Sequence, residues 1–342
     1  MDFYEATGRG SYDRREMRRQ AKAKAFAALR EHKGKVFLGA LVATLPAIFV
    51  AVLTQWQSIQ ETMMTYGSMQ EQTLMTAASS SSPLATVLIE LLQIFALVPL
   101  SIGLYHLFTA LLRKEPDTSV NLIFSRFQSG RRYWTSVKLA ILVTIYSIFW
   151  SIPVTAICIA PFLVVARNGT MHMAAGMVCI IAGCVLVFFM LLFYMAKVQT
   201  YTASYLISLD YEERRARELF FAARVLYQGH IFEMMVFLLS FIGWYIAPVV
   251  VLSALMVMIG MTFVTSAALT VAMIVLMAVV GIVVMLYCIW VSAYQSMAFI
   301  CLTTQLRVRS WDITAMTPEE KEAYLQWRAQ QQGQQASSED PQ

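Results

Sequence analysis

The sequence predicts an all-α polytopic membrane protein: six transmembrane helices with amphipathic surface helices on the cytosolic side. Three observations carry that expectation. Of 342 residues, 58% are hydrophobic and only 14% charged, with a mean hydropathy of +0.60, outside the range of a soluble domain. Apolar runs such as 137–165 and 267–302 are too long for a buried soluble helix and exceed the roughly 20 residues that cross a bilayer core. All but one of the 26 Lys and Arg fall in four segments, 1–35, 113–138, 197–232 and 303–342, Arg167 being the exception. Connections that collect basic residues face the cytosol, which places both termini there.

Residues 1–35 hold ten Lys or Arg and read as a cytosolic basic helix, opened by Asp13 and Glu16 at capping-box spacing. Its apolar face, Met17, Ala21, Ala25, Phe26 and Leu29, is modest, so attraction to anionic lipid is expected to outweigh burial. A transmembrane domain over 36–302 follows. Its first span, 36–53, contains Pro46, which kinks it. The loop at 54–83, without Lys or Arg and ending in four serines and a proline, is expected to be external and flexible.

Span two covers 84–112. The basic segment 113–136 returns to the membrane through Tyr133 and Trp134, an interfacial aromatic pair. Span three, 137–165, contains Pro153 and Pro161 and is expected to bend, or to end before the second proline. A short external turn at 167–170 leads to span four, 173–196. Span five belongs to the stretch from Asp210 to Pro248. There an amphipathic helix, with Ala216, Leu219, Phe220, Ala223, Leu226 and Tyr227 at helical spacing, runs into an apolar one. Span six occupies 267–302. The cytosolic tail 303–342 has a capping box at Thr317, Pro318, Glu319 and Glu320 and a disordered end.

Gly229 and His230 stand ahead of Leu239, Ser240, Phe241, Ile242, Gly243 and Trp244, with Tyr201, Ala203, Tyr205 and the helical stretch 218–224 upstream. In these residues the chain resembles the bacterial integral-membrane proteins grouped as domain of unknown function 975. The resemblance implies a multi-pass protein of a bacterial cytoplasmic membrane and assigns no activity. Gly34, Gly130 and Gly229 are 96 and 99 residues apart, each preceded by a basic segment and followed by an apolar hairpin. Two origins fit: a threefold repeat packed about an axis along the membrane normal, or the chance spacing of alternating loops and hairpins.

Few residues suggest chemistry. Glu90 lies about two turns into span two, with Gln93 on nearly the same face, and an ionised acid at a span's centre is costly. It is either a proton or cation site facing protein or water, or an acid close enough to the external interface to stay hydrated. Ser240, Gly243 and Trp244 form a candidate packing motif, the glycine admitting a neighbouring helix and the indole filling space beside it. Arg214, Arg215, Arg217, Arg131 and Arg132 are candidate contacts to lipid. Glu233 reads as a surface acid near His230 and Arg224, and His106 as an interfacial polar tip.

The five cysteines lie in or beside apolar spans without paired spacing and read as free thiols. No metal-ligand spacing, P-loop or nucleophile elbow occurs in the sequence. Neither catalytic residues, a metal nor a cofactor are expected, and the basic residues report orientation rather than nucleic-acid binding. The expected function is a non-enzymatic membrane scaffold or accessory protein that contacts anionic lipid of the cytosolic leaflet and protein partners or further copies of itself. The alternative is a small-molecule or ion transporter using Glu90 and the proline-broken span three.

Overall fold

The computed structural model describes residues 14–49, 91–116, 118–167, 173–263 and 267–309, together with Glu322. The 54–83 loop, Glu90, the turn after Arg167 and the capping box at Thr317 lie outside these residues. Among the described residues every regular element is helical. In chain order they are α1 (Arg14–Glu31), α2 (33–49), a π-helical turn (Gln93–Leu97), α3 (Val98–Leu112), a 3₁₀ turn (Val120–Phe124), α4 (Gly130–Arg167), α5 (Met173–Asp210), α6 (Ala216–Leu226), α7 (Ile231–Phe263) and α8 (Ala267–Arg309).

Five stretches are long and apolar enough to cross a membrane: Ile94–Leu112, Gly130–Pro161, Met177–Asp210, Ile231–Met258 and Val275–Val308. The expected first span is described only over 36–49, as part of α2.

Two helices run past their expected ends. α5 continues from Ala196 to Asp210 and α8 from Leu302 to Arg309, so the boundary at 302 falls inside a helix whose Thr303, Leu306, Arg307 and Val308 are buried. Polar residues do not stop α5 because Thr200, Ser204 and Ser208 each bond the carbonyl three residues back at 2.7 Å. A hydroxyl satisfied within its own helix tolerates burial. Nor does α4 end before Pro161: it runs through both prolines, since the cost of freeing backbone groups in hydrocarbon favours keeping the remaining ladder. In the π turn the cause is visible. Pro99 has no N–H to offer the Phe95 carbonyl four residues back, and the Tyr133 hydroxyl donates to that carbonyl instead, at 3.1 Å.

The core sits at the charged end of the bundle. There α1 packs on α8, the 3₁₀ turn on α3, and α6 on α5 and α4. Met17, Ala21, Ala25 and Leu29 of α1 are buried while Phe26 stays exposed, so protein covers most of the modest apolar face, and its alanines let α8 come close. Phe220 anchors α6, with ring centroids 5.1 Å from Tyr201 and 4.7 Å from Tyr146. Towards the other end the helices turn apolar side chains outward, with Phe149, Val178, Val249 and Val257 at 63–68% exposure.

These contacts have a cyclic order. The 3₁₀ turn and α6 pack on helices that precede them in sequence, α3 for the one and the second hairpin (α4 and α5) for the other. α1 closes the circle on α3 and on α8 of the third hairpin (α7 and α8), and reaches α7 through Lys22. Along the second helices of the hairpins, burial recurs at a spacing of 97. Gly103, Thr200 and Met297 are all buried, as are Leu107, Ser204 and Cys301, and Phe108, Tyr205 and Leu302. The glycines that suggested the repeat are not equivalent, because Gly34 and Gly130 are helical and only Gly229, at φ +85°, needs the left-handed region.

Close approach is provided by other glycines. A Cβ on Gly103 overlaps the Ile123 carbonyl, and one on Gly39 stands 2.7 Å from Leu107 Cδ2. At Gly243 it meets nothing within 4 Å, so within this chain that glycine is not a helix-approach point. Gly103→Ala is therefore expected to cost about 1–3 kcal/mol through overpacking. Gly243→Ala should instead gain up to about 1 kcal/mol of helix propensity. Thermal unfolding in detergent checks the pair, and an equal loss in both variants contradicts this assignment.

Candidate functional site

α3, α5 and α8 end close together, and their C-termini carry the site. Asp210, the last residue of α5, receives Arg113 through two bonds, Nη1 to Oδ1 at 2.9 Å and Nη2 to Oδ2 at 3.1 Å. Arg307 adds a third, Nη1 to Oδ2 at 2.6 Å. Arg113 and Arg307 each lie 97 residues from Asp210, the spacing of the burial pattern. Unpaired helix C-termini carry partial negative charge, so an acid there is unfavourable and an arginine favourable. Two guanidinium groups around one carboxylate resolve the conflict. The side chains of Asp210 and Arg307 are only 10% and 4% exposed, and so largely unscreened.

Around this clamp lies a second tier of charge. The Arg126 side chain, following the 3₁₀ turn, is buried; it donates through Nη2 to the Ser208 carbonyl at 3.3 Å, while its Nε has no hydrogen-bond partner. Burial pushes its pKa down, the charge of Glu212 opposing this in part. Arg132 grips Glu212 with Nε at 2.9 Å and Nη2 at 2.7 Å. His106 Nδ1 is 3.0 Å from Ser125 Oγ. The Tyr211 ring has the Arg214 guanidinium 4.4 Å away and that of Arg307 at 5.9 Å. Such an arrangement holds helix ends together and presents cations outward; among the described residues no group of three or more His, Cys, Asp or Glu is placed to hold a metal.

The residues singled out by sequence divide sharply. Arg214, Arg215 and Arg217 are exposed beside and on α6, with Arg217 5.6 Å from the Phe221 ring. Arg131 is exposed and donates to the Glu213 carbonyl at 3.1 Å. Arg132, by contrast, is held by Glu212 rather than offered to lipid. Glu233, expected at the surface, is buried, with His230 Nδ1 3.1 Å from its Oε1. Gln93 is described through its place in the π turn, and Glu90, on which transport depends, lies outside the described residues.

The candidate packing motif serves docking. Ser240 bonds both the Phe237 carbonyl and Lys22 of α1, and Lys22 Nζ lies 4.8 Å above the Phe241 ring. Burial pushes the Lys22 pKa down, with the like charge of Arg18 adding to it. Trp244 stands 6.0 Å from Trp290 of α8 and is 42% exposed. Asp210, Arg113, Arg307 and Arg126 were missed by sequence reasoning. The detectable signal was three charged residues spaced 97 apart at the ends of apolar runs.

The fold and this charged end define an all-α, multi-pass membrane protein without an assigned chemistry. Residues 12–265 match the family described as Protein of unknown function (DUF975), and the chain belongs to that family. No curated protein and no solved structure matches it.

The clamp makes a quantitative expectation. Asp210→Asn leaves two arginines without their carboxylate and should cost about 3–5 kcal/mol, as for breaking a buried pair. Glu212→Gln, at a pair 35–39% exposed, should cost about 0–1 kcal/mol. Melting temperatures of the two variants in one detergent check the order, and it is wrong if Glu212→Gln proves the more damaging.

Proposed function

We propose that the protein is a non-enzymatic membrane scaffold or accessory protein with six spans, the first at 36–53, and with its charged end on the anionic cytosolic leaflet of a bacterial membrane. One observation carries this reading. α1 and α6 are fastened to the bundle by their apolar faces, so the cations of Arg214, Arg215 and Arg217 are held outward at one end. A basic surface fixed on a rigid base recruits anionic lipid, and acidic partners, without itself having to fold on contact.

Replacing Arg214, Arg215 and Arg217 by Gln removes roughly 1 kcal/mol of attraction per charge to an anionic surface, an effect that salt imitates. The lipid that copurifies in polymer nanodiscs should be enriched in anionic species for the unmodified protein and less so for the triple variant. Equal enrichment in both argues against the reading. Orientation has its own test. In a background without native cysteine, Ser80→Cys should react with an impermeant maleimide on intact cells, and Gln228→Cys, exposed at the charged end, only after lysis. Labelling of both on intact cells overturns the cytosolic placement.

A further inference from the structure

Lys197 is the first charge that α5 meets after its apolar run, in which Val178, Ile181, Val185 and Phe189 are exposed. It is half-buried. Its Nζ lies 4.9 Å from the Trp150 ring centroid of α4 and 5.8 Å from that of Phe193. The floor is fixed: the Trp150 indole N–H donates to the Tyr201 hydroxyl at 2.8 Å, and Tyr201 stacks on Phe220 of α6. Phe220 stacks on Tyr201, nine residues before the end of α5, so α6 runs back along α5, and the exposed Arg224 in its last turn lies one turn beyond Phe220 as Lys197 lies one turn before Tyr201.

Two cations thus fall on the same side of the Tyr201–Phe220 stack. Neither has an ion-pair partner or a side-chain hydrogen bond among the described residues. The corresponding place on the third hairpin is closed by protein. Tyr294, 97 residues after Lys197, has the Phe26 and Phe241 rings at 5.9 and 5.3 Å, and Lys22 above Phe241 spends its charge on Ser240. On the second hairpin the Lys197 charge meets aromatic faces and no acid among the described residues.

The surroundings specify what answers it. Phe193, Phe189 and Leu186 continue the Lys197 face of α5 away from the charged end, and Pro153 and Ile157 continue the Trp150 face of α4, at the three- and four-residue spacings that share one helix face. Phe189 is 53%, Leu186 36% and Ile157 38% exposed, which makes an open apolar track leading from the two cations. An anion that settles between an ammonium and a guanidinium here has hydrocarbon on its other side. That combination fits a phosphate esterified to a diacylglycerol better than a free ion.

We propose that Lys197 and Arg224, over the Trp150–Phe193 floor, form a discrete site for the phosphate of an anionic phospholipid, whose chains lie along Phe189, Leu186 and Ile157. The site rests on the reading of the charged end as a lipid-contacting surface and adds to it a saturable, one-to-one component.

Native mass spectrometry of the full chain in detergent, titrated with phosphatidylglycerol and with phosphatidylcholine of the same chains, tests it. The unmodified protein should bind one phosphatidylglycerol with clear preference. Lys197→Gln combined with Arg224→Gln should weaken that adduct tenfold or more, and Lys197→Arg should retain it; melting without added lipid identifies a variant that has merely failed to fold. Undiminished binding by the folded double variant overturns the site. Inorganic phosphate displacing the lipid at equal concentration also overturns it, in favour of a free-ion site. Loss of the preference only when Arg214, Arg215 and Arg217 are replaced removes the site but keeps the surface reading, whereas no preference in the unmodified protein removes both.

Discussion

Everything at the charged end depends on one carboxylate held between two guanidinium groups. Asp210, Arg113 and Arg307 stand at or beside the C-termini of α5, α3 and α8, where the negative ends of three helix dipoles converge. Without compensation those ends repel. An excess of arginine over acid makes the convergence favourable, and Asp210 then links the two arginines to each other. Once three helix ends are gathered, the spaces between hairpins are fixed, and the 3₁₀ turn, α6 and α1 each have a groove to occupy.

The distribution of the core follows from where water can act. In hydrocarbon, apolar side chains gain nothing from leaving lipid, so helices there associate through close packing rather than the hydrophobic effect. In the span windows of α4, α5 and α8 only 11% is buried. At the charged end water is present and burial is driven. Phe108, Phe220, Phe237, Phe241 and Phe299 are fully buried. A membrane protein can in this way be stabilised mainly by a small, water-driven core built onto the ends of its spans.

Hydropathy and charge made the helical class and most span positions legible, because both are properties of contiguous sequence. What stayed hidden depends on distant partners. The stretch 197–210 reads as a polar connection until the back-bonded hydroxyls of Thr200, Ser204 and Ser208 are seen. α1 looks too weakly amphipathic to pack, yet two alanines are what a close helix contact requires. Arg132 looks like a free surface charge because Glu212 lies 80 residues away, and Glu233, near His230 in sequence and paired with it, is taken off the surface by the fold. Gly243 carries a motif's suggestion of close approach, whereas Gly103 and Gly39, in no motif, are where neighbours press in.

The closure of the ring by α1 sets an order of events during synthesis. The segment Arg14–Glu31 emerges long before α8, on which it packs and whose Tyr294 its Phe26 meets. Until then only its contacts with α3 are available to it. The two earlier surface segments follow hairpins already made and can dock at once. The docking of α1 on α8 is a contact of long sequence separation, a slow kind to find. α1 thus reports on α8: it settles fully only on a chain in which that span is in place.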